Sequence, residues 1–170
     1  LFAGENRMGP SSTYVARDLT GALVGTYSLS HPLVHVNSRP ERVGYLSGLR
    51  VQPKHRHKIR VMKGGYASLA FLPTVQNTLP YYFTSLAHDN HKARRLLEAG
   101  LKGMPSYHPV GELGTYLVRP QRKARGLIQR AQANDVPALV HFFNGQMAQY
   151  AFSSVLTEDW LLALNGEQGL

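Results

Sequence analysis

Apolar and polar residues alternate over residues 13–17 (TYVAR), pause over 18–21 (DLTG) and alternate again over 22–30 (ALVGTYSLS). A period of two sends successive side chains to opposite faces of a strand, and Asp-Leu-Thr-Gly is turn chemistry, so the two runs predict a β-hairpin. Residues 31–41 (HPLVHVNSRPE) carry two prolines and an Asn-Ser pair and predict a connecting loop. Residues 42–51 then put Val43, Tyr45, Ser47, Leu49 and Val51 on one face, a strand ended by Pro53.

From about Lys58 the period lengthens. Met62, Tyr66 and Leu69 fall at i, i+4 and i+7, which predicts a helix, with Gly64 and Gly65 each weakening it by about 1 kcal/mol relative to alanine. Residues 80–87 (PYYFTSLA) predict a strand and residues 89–100 (DNHKARRLLEAG) a helix. In that helix Asp89 or Asn90 supplies the cap, Ala93, Leu96 and Leu97 the apolar stripe, and Gly100 the C-terminal stop. Residues 113–118 (LGTYLV) predict another strand before Pro120, and residues 119–126 (RPQRKARG) are basic and polar. Beyond them residues 127–131 (LIQRA) suggest a short strand. Asp135 stands before a helix with Val136, Leu139, Val140 and Phe143 on one stripe and Pro137 in its first turn. Thr157, Glu158 and Asp159 open a last helix, carboxylates at its positive end. Strand, strand, strand, helix, strand, helix, strand, connector, strand, helix, helix is a mixed α/β order.

Composition narrows the class. The chain has 170 residues, 43% apolar and 17% charged, enough for one domain with a core or for one domain and part of another. It has no cysteine, which excludes disulfides, thiolate zinc sites and a cysteine nucleophile and points to an intracellular, cytoplasmic protein. No apolar run approaches the roughly 18 residues of a membrane span, so no membrane partner is expected.

A formal charge of +9 calls for an anionic partner, whether nucleic acid, an acidic surface or a phosphorylated small molecule. Lys54, Arg56, Lys58, Arg60 and Lys63 crowd the passage from the 42–51 strand into the following helix. First-turn N–H groups of a helix lack intrahelical partners, and the helix dipole favours negative charge, so a pyrophosphate suits such a turn. The plainer alternative is a solvated basic loop. A nucleic-acid-binding face built from these residues with Arg39, Arg42, Arg94, Arg95, Arg119, Arg122, Lys123 and Arg125 is the rival from another class. It is the less favoured one, because aromatics do not interleave with the basic run. His55 with His57, and His88 with His91, are pairs without the third and fourth ligands zinc needs, so no metal is expected. G-x-S-x-G, H-E-x-x-H and Walker patterns are absent.

Leu49, Val51, Pro53 and Arg56 match an L-x-V-x-P strand end followed by R/Q-x-x-G-x-G/A, and Asn90, Ala93, Leu96, Glu98 and Gly100 match N-x-x-A-x-x-L-Y-E-x-x-G-F. In this order and separation the motifs resemble the acetyl-CoA-binding core of the GNAT (Gcn5-related N-acetyltransferase) superfamily, over residues 13–118. The strings YLSGLRV and LEAGLKGMPSYHPVGEL are similar to a bacterial subgroup. The resemblance implies the GNAT acyl-CoA N-acyltransferase fold, a central, mostly antiparallel twisted sheet flanked by helices. It also implies acetyl-CoA as co-substrate and transfer of the acetyl group to a primary amine, on a small molecule or a peptide, by direct attack on the thioester.

Residue by residue, it puts pantetheine at Leu49, Arg50 and Val51 and the phosphates at Arg56, His57, Lys58, Ile59, Arg60 and Val61, with Asn90 also at the cofactor. Ile59 and Val61 stand where the family has glycines, and Leu97 where many members have the tyrosine that protonates the leaving thiolate. Catalytic residues stay unassigned: Glu41 and Glu112 read as surface acids, Tyr45 and Tyr107 as packed rings. A non-catalytic GNAT-fold module that binds CoA is therefore the alternative to an enzyme.

The same comparison divides the chain into a core at 1–120 lacking its first strand and helices, a basic connector at 121–126, and a unit at 127–170. That unit resembles the family's opening strand and helix. It is either the start of a second, tandem repeat or a unit completing a core within this chain or another. The expectation is the tandem arrangement, with this chain the middle of a longer protein; a homodimer is compatible with either.

Overall fold

The computed structural model describes residues 9, 11–72, 77–119 and 129–168, with side chains described up to residue 163. Strands β1 (Ser11–Arg17) and β2 (Leu23–Ser30) form the expected antiparallel hairpin. Asp18 builds its turn: the carboxylate accepts from the Thr20 and Ala22 N–H groups, each at 3.0 Å, and Gly21 takes a φ of +83°.

Residues 31–41 do not form the expected loop. Strand β3 (Leu33–Val36) pairs with the start of a long β4 (Arg39–Val51), and Asn37 and Ser38 turn between them at φ of +49° and +68°. A two-residue turn with both φ positive matches the twist of the flanking strands, and asparagine tolerates that region. The prolines that suggested a break are accommodated. Pro32 falls at the junction of β2 and β3, where only its carbonyl is needed, accepting from Val43 N–H at 3.3 Å. Since Ser30 pairs with Tyr45 and Leu33 with Arg42, β2 and β3 act as one interrupted strand beside β4.

Helix α1 (Ile59–Ser68) makes the crossover to β5 (Thr78–Phe83), which pairs with β4 in parallel. The strand expected over 80–87 thus starts two residues earlier and ends at Phe83. Helix α2 (His91–Glu98) begins where the Asn90 side chain accepts from Ala93 N–H at 3.3 Å and ends before Gly100, whose φ is +60°. A left-handed residue just past a helix is the stop that glycine provides most readily.

The strand expected over 113–118 is not formed: Leu113, Leu117 and Val118 are 96%, 98% and 84% exposed. Alternation prepares a face, but a strand also needs a partner edge, and none pairs with this stretch among the described residues. Of the strand suggested over 127–131, residues 127 and 128 lie outside the described residues and 129–131 are not strand. Helices α3 (Val136–Met147) and α4 (Glu158–Gln168) form as expected, with Thr157 Oγ1 accepting from Trp160 N–H. Asp135 does not cap α3 with its side chain; the carboxylate turns back to accept from Gln132 N–H at 2.7 Å. Between the two helices lies a short unforeseen strand, β6 (Phe152–Ser154), paired antiparallel with β3. Three residues are too few to display a period.

The described strands form one six-stranded sheet, all pairings antiparallel except β4 with β5, flanked by helices. Val24, Leu29, Val34 and Val43 are its buried apolar centre, and Leu97 of α2 and Val136 of α3 are buried with them. Tyr27 docks α1 through a 2.6 Å bond between its Oη and Ser68 Oγ. No helix among the described residues is long and apolar enough to cross a membrane.

Candidate active site

Strands β4 and β5 run together and then part. Their last pair is Tyr45 with Phe83, and Thr84 adds one side-chain bond from Oγ1 to the Leu46 carbonyl at 2.7 Å. From Ser47 to Val51, β4 keeps β2 on one side and has no described strand on the other.

A bulge sits in this half of the strand. Ser28 pairs with Ser47 and Thr26 with Arg50, so Tyr27 faces both Gly48 and Leu49, and Gly48 takes a φ of +62°. An extra residue on one strand shifts the alternation by one. Hence Val43, Tyr45 and Ser47 keep the expected common face while Leu49 and Val51 leave it, a correction to the single face read from spacing. A glycine within a strand was the available signal.

Chain direction carries β4 through a short turn, Pro53–His55, into α1. The start of α1 has no side-chain cap, and Lys54, Arg56, His57, Lys58 and Arg60 around it are all exposed. Ile59 and Val61 are half-buried. Two guanidinium groups bond carbonyls of the strand end: Arg50 Nη1 donates to Leu49 O at 2.9 Å, and Arg56 Nε to Val51 O at 3.0 Å. Burial, then the Lys58 and Lys54 charges, hold the His55 imidazole below its usual range, and its buried Nε2 has no hydrogen-bond partner among the described residues. The positive charge of the turn therefore comes from its lysines and arginines.

The structure thus brings Leu49, Arg50, Val51, Arg56, His57, Lys58, Ile59, Arg60 and Val61 into one continuous strand end, turn and helix start. Asn90 belongs to a different element, the start of α2, with its side-chain oxygen engaged as the cap. Leu97 is 4% exposed. Tyr45 packs against Phe83 with ring centroids 4.6 Å apart, and its Oη shares a 2.8 Å bond with Ser85 Oγ. Tyr107 shares a 2.8 Å hydroxyl bond with Tyr66 of α1, and burial raises both phenols above their usual range. Glu112 lies 3.6 Å from His88, both largely exposed. Sequence reasoning missed the Ser85 hydroxyl and Phe152, whose ring meets Phe83 at 5.2 Å. Among the described residues, no three His, Asp or Glu side chains gather as a metal site.

No family model and no curated protein matches the sequence. Solved structures do match the fold. Aminoglycoside antibiotic 6'-N-acetyltransferase AAC(6')-Ih from Acinetobacter baumannii superposes with a TM-score of 0.52 at 15% identity, over 69% of this chain and 78% of that one. AAC(6')-Iy, solved in complex with the bisubstrate analog CoA-S-monomethyl-acetylneamine, gives 0.50 at 19% identity over 69% and 76%. Both share the overall fold of this chain at low identity. The mixed α/β layout with its mostly antiparallel sheet is the GNAT acetyltransferase fold, and this chain has it.

Proposed function

We propose that the chain is an acetyl-CoA-dependent N-acetyltransferase acting on a primary amine. The observation that carries this reading is the free edge of β4 from Ser47 to Val51, running directly into a cationic turn and an uncapped helix start. A strand edge offers N–H and C=O groups to an extended amide chain, and the turn offers charge and N–H groups to a pyrophosphate. The donor set therefore fits acetyl-CoA, with Leu49, Arg50 and Val51 holding the pantetheine arm and Arg56, Lys58, Ile59, Arg60 and Val61 the phosphates, His57 beside them. The guanidinium bonds to Leu49 O and Val51 O are ones an arriving pantetheine amide exchanges with. In the reaction the amine nitrogen bonds to the thioester carbonyl carbon, the C–S bond breaks, and the amine's proton is passed on as the thiolate leaves.

Calorimetric titration with acetyl-CoA, followed by an amine panel with thiol detection, tests the proposal. Saturable binding and amine-dependent thiol release are expected; no binding at millimolar cofactor overturns it. The second reading, a CoA-binding module that transfers nothing, is favoured by the buried Leu97 at the position of the family's usual acid. It predicts cofactor binding with no thiol release on any amine.

For the domain division, the pairing of β6 with β3 supports the reading in which the 127–170 unit completes the fold of the 1–120 core across the 121–126 connector. A cytoplasmic location is part of the same proposal.

A further inference from the structure

Three aromatic rings run from the centre of the sheet into the C-terminal unit. Tyr45 of β4 lies 4.6 Å from Phe83 of β5, and Phe83 meets Phe152 of β6 edge to face at 5.2 Å and 77°. Phe152 remains 52% exposed, and the bond joining Tyr45 Oη to Ser85 Oγ is exposed as well. The row is therefore an open wall. It stands at the last β4–β5 pair, where the free edge of β4 begins.

We propose that this row is the acceptor wall, built to take an amine that carries one planar apolar group, and that Phe152 brings the C-terminal unit into the site. The inference rests on the acetyltransfer reading. Ring faces attract both a planar apolar group and a single ammonium, and the Tyr45 and Ser85 oxygens can accept from its N–H groups.

Charge argues against a polycationic acceptor. The chain carries +9, and Glu41 is the one acid in β4, four residues from Tyr45, or about 13 Å along a strand. Of the other described acids, Asp18, Glu98, Glu112 and Asp135 are bound to partners elsewhere, the hairpin turn, Arg94, His88 and Gln132, while Asp89 lies in the turn before α2 and Glu158 and Asp159 in the first turn of α4, none of them on the three strands that carry the rings. A ligand with three or four ammonium groups needs several carboxylates, whereas a ring row satisfies one.

The test is direct titration of the full chain with 2-phenylethylamine and with spermidine, without cofactor, alongside a separate acetyl-CoA titration. Phenylethylamine is expected to bind at least tenfold more tightly than spermidine. Phe152→Ala is expected to weaken phenylethylamine at least tenfold, and Tyr45→Phe, which removes only a hydroxyl, about threefold. Equal affinity for spermidine, no phenylethylamine binding, or unchanged phenylethylamine affinity in folded Phe152→Ala overturns the acceptor wall; should that variant not fold, unchanged affinity in Tyr45→Phe does so. Absence of acetyl-CoA binding strikes the acetyltransfer reading instead, and the cofactor-free amine titration still decides the wall.

Discussion

The two halves of β4 are one strand with two different environments. From Arg39 to Tyr45 it is flanked by β3 and β2 on one edge and β5 on the other, Val43 is 5% exposed, and Gly44 lies under the Tyr82 ring. From Leu46 to Val51 only β2 accompanies it, and Leu49 is 42% exposed. Each half holds a glycine with a different task. Gly44 leaves room, since a Cβ there would overlap the Tyr82 ring. Gly48 supplies the positive φ of the bulge. The difference teaches that β4 is paired on both edges where it is packed, and lacks a second described strand only in the half that runs into the cationic turn.

The largest expected effect falls on the open half. Reversing Arg56 and Lys58 together to glutamate should weaken acetyl-CoA about a hundredfold, near 2.7 kcal/mol, in calorimetry at low salt. Both side chains are exposed, so the melting temperature should change little. Unchanged cofactor affinity would remove the phosphate role from this turn. The closed half should answer in the opposite way. Gly44→Ala forces the Tyr82 ring to move and should cost about 2 kcal/mol of stability, roughly 4–8 °C in thermal melting, with cofactor affinity changed less than threefold. A melting temperature equal to wild type would mean that the ring yields freely.

The same contrast explains what the sequence discloses. The β1–β2 hairpin, β4, α1, α2, α3 and α4 are legible because a period, a cap or a stop marks each, as Asn90 and Gly100 mark α2. Strand β3 was hidden by Pro32 and Pro40, whose usual meaning is a break, and its Asn37–Ser38 turn was the overlooked signal. Residues 113–118 show the converse: their alternation is that of a strand, yet strand formation depends on a neighbouring edge that local pattern does not encode. The cationic turn was legible because its basic residues, Lys54, Arg56 and Lys58 between strand and helix and Arg60 and Lys63 within α1, lie close together in sequence. The aromatic row was not, because Tyr45, Phe83 and Phe152 are distant in the chain and meet only through the β4–β5 and β3–β6 pairings.

At the far end of α1 from the open half, the Tyr66–Tyr107 hydroxyl pair ties the stretch after α2 to the helix. Burial raises the pKa of both phenols, so the fold favours their neutral forms. The unfolded chain ionises its tyrosines near pH 10, so this contribution is fully present below about pH 10 and is lost as pH rises through the higher folded values. Urea unfolding should show stability falling above about pH 10, with a shallower fall in the Tyr66→Phe, Tyr107→Phe double variant. At neutral pH, Tyr66→Phe alone should cost about 1 kcal/mol, because it leaves the Tyr107 hydroxyl without its partner. An identical alkaline slope in wild type and double variant would show that the pair is ionised as readily folded as unfolded.

The smallest effect expected is at Asn90, and it separates two roles that motif and geometry assign to one side chain. The resemblance gives Asn90 to the cofactor, while its oxygen accepts the Ala93 N–H at the start of α2. Loss of a cap costs about 0.5–1 kcal/mol, or some 1–4 °C in a chain of this size. Asn90→Ala should therefore melt slightly earlier, and Asn90→Asp, which keeps an acceptor oxygen in place, should restore the melting temperature. With capping as its only task, acetyl-CoA affinity moves less than twofold in both variants. A tenfold loss in Asn90→Asp despite a restored melting temperature would mean that the carboxamide N–H groups, which aspartate lacks, reach the cofactor, and would extend the open half of β4 across to the start of α2.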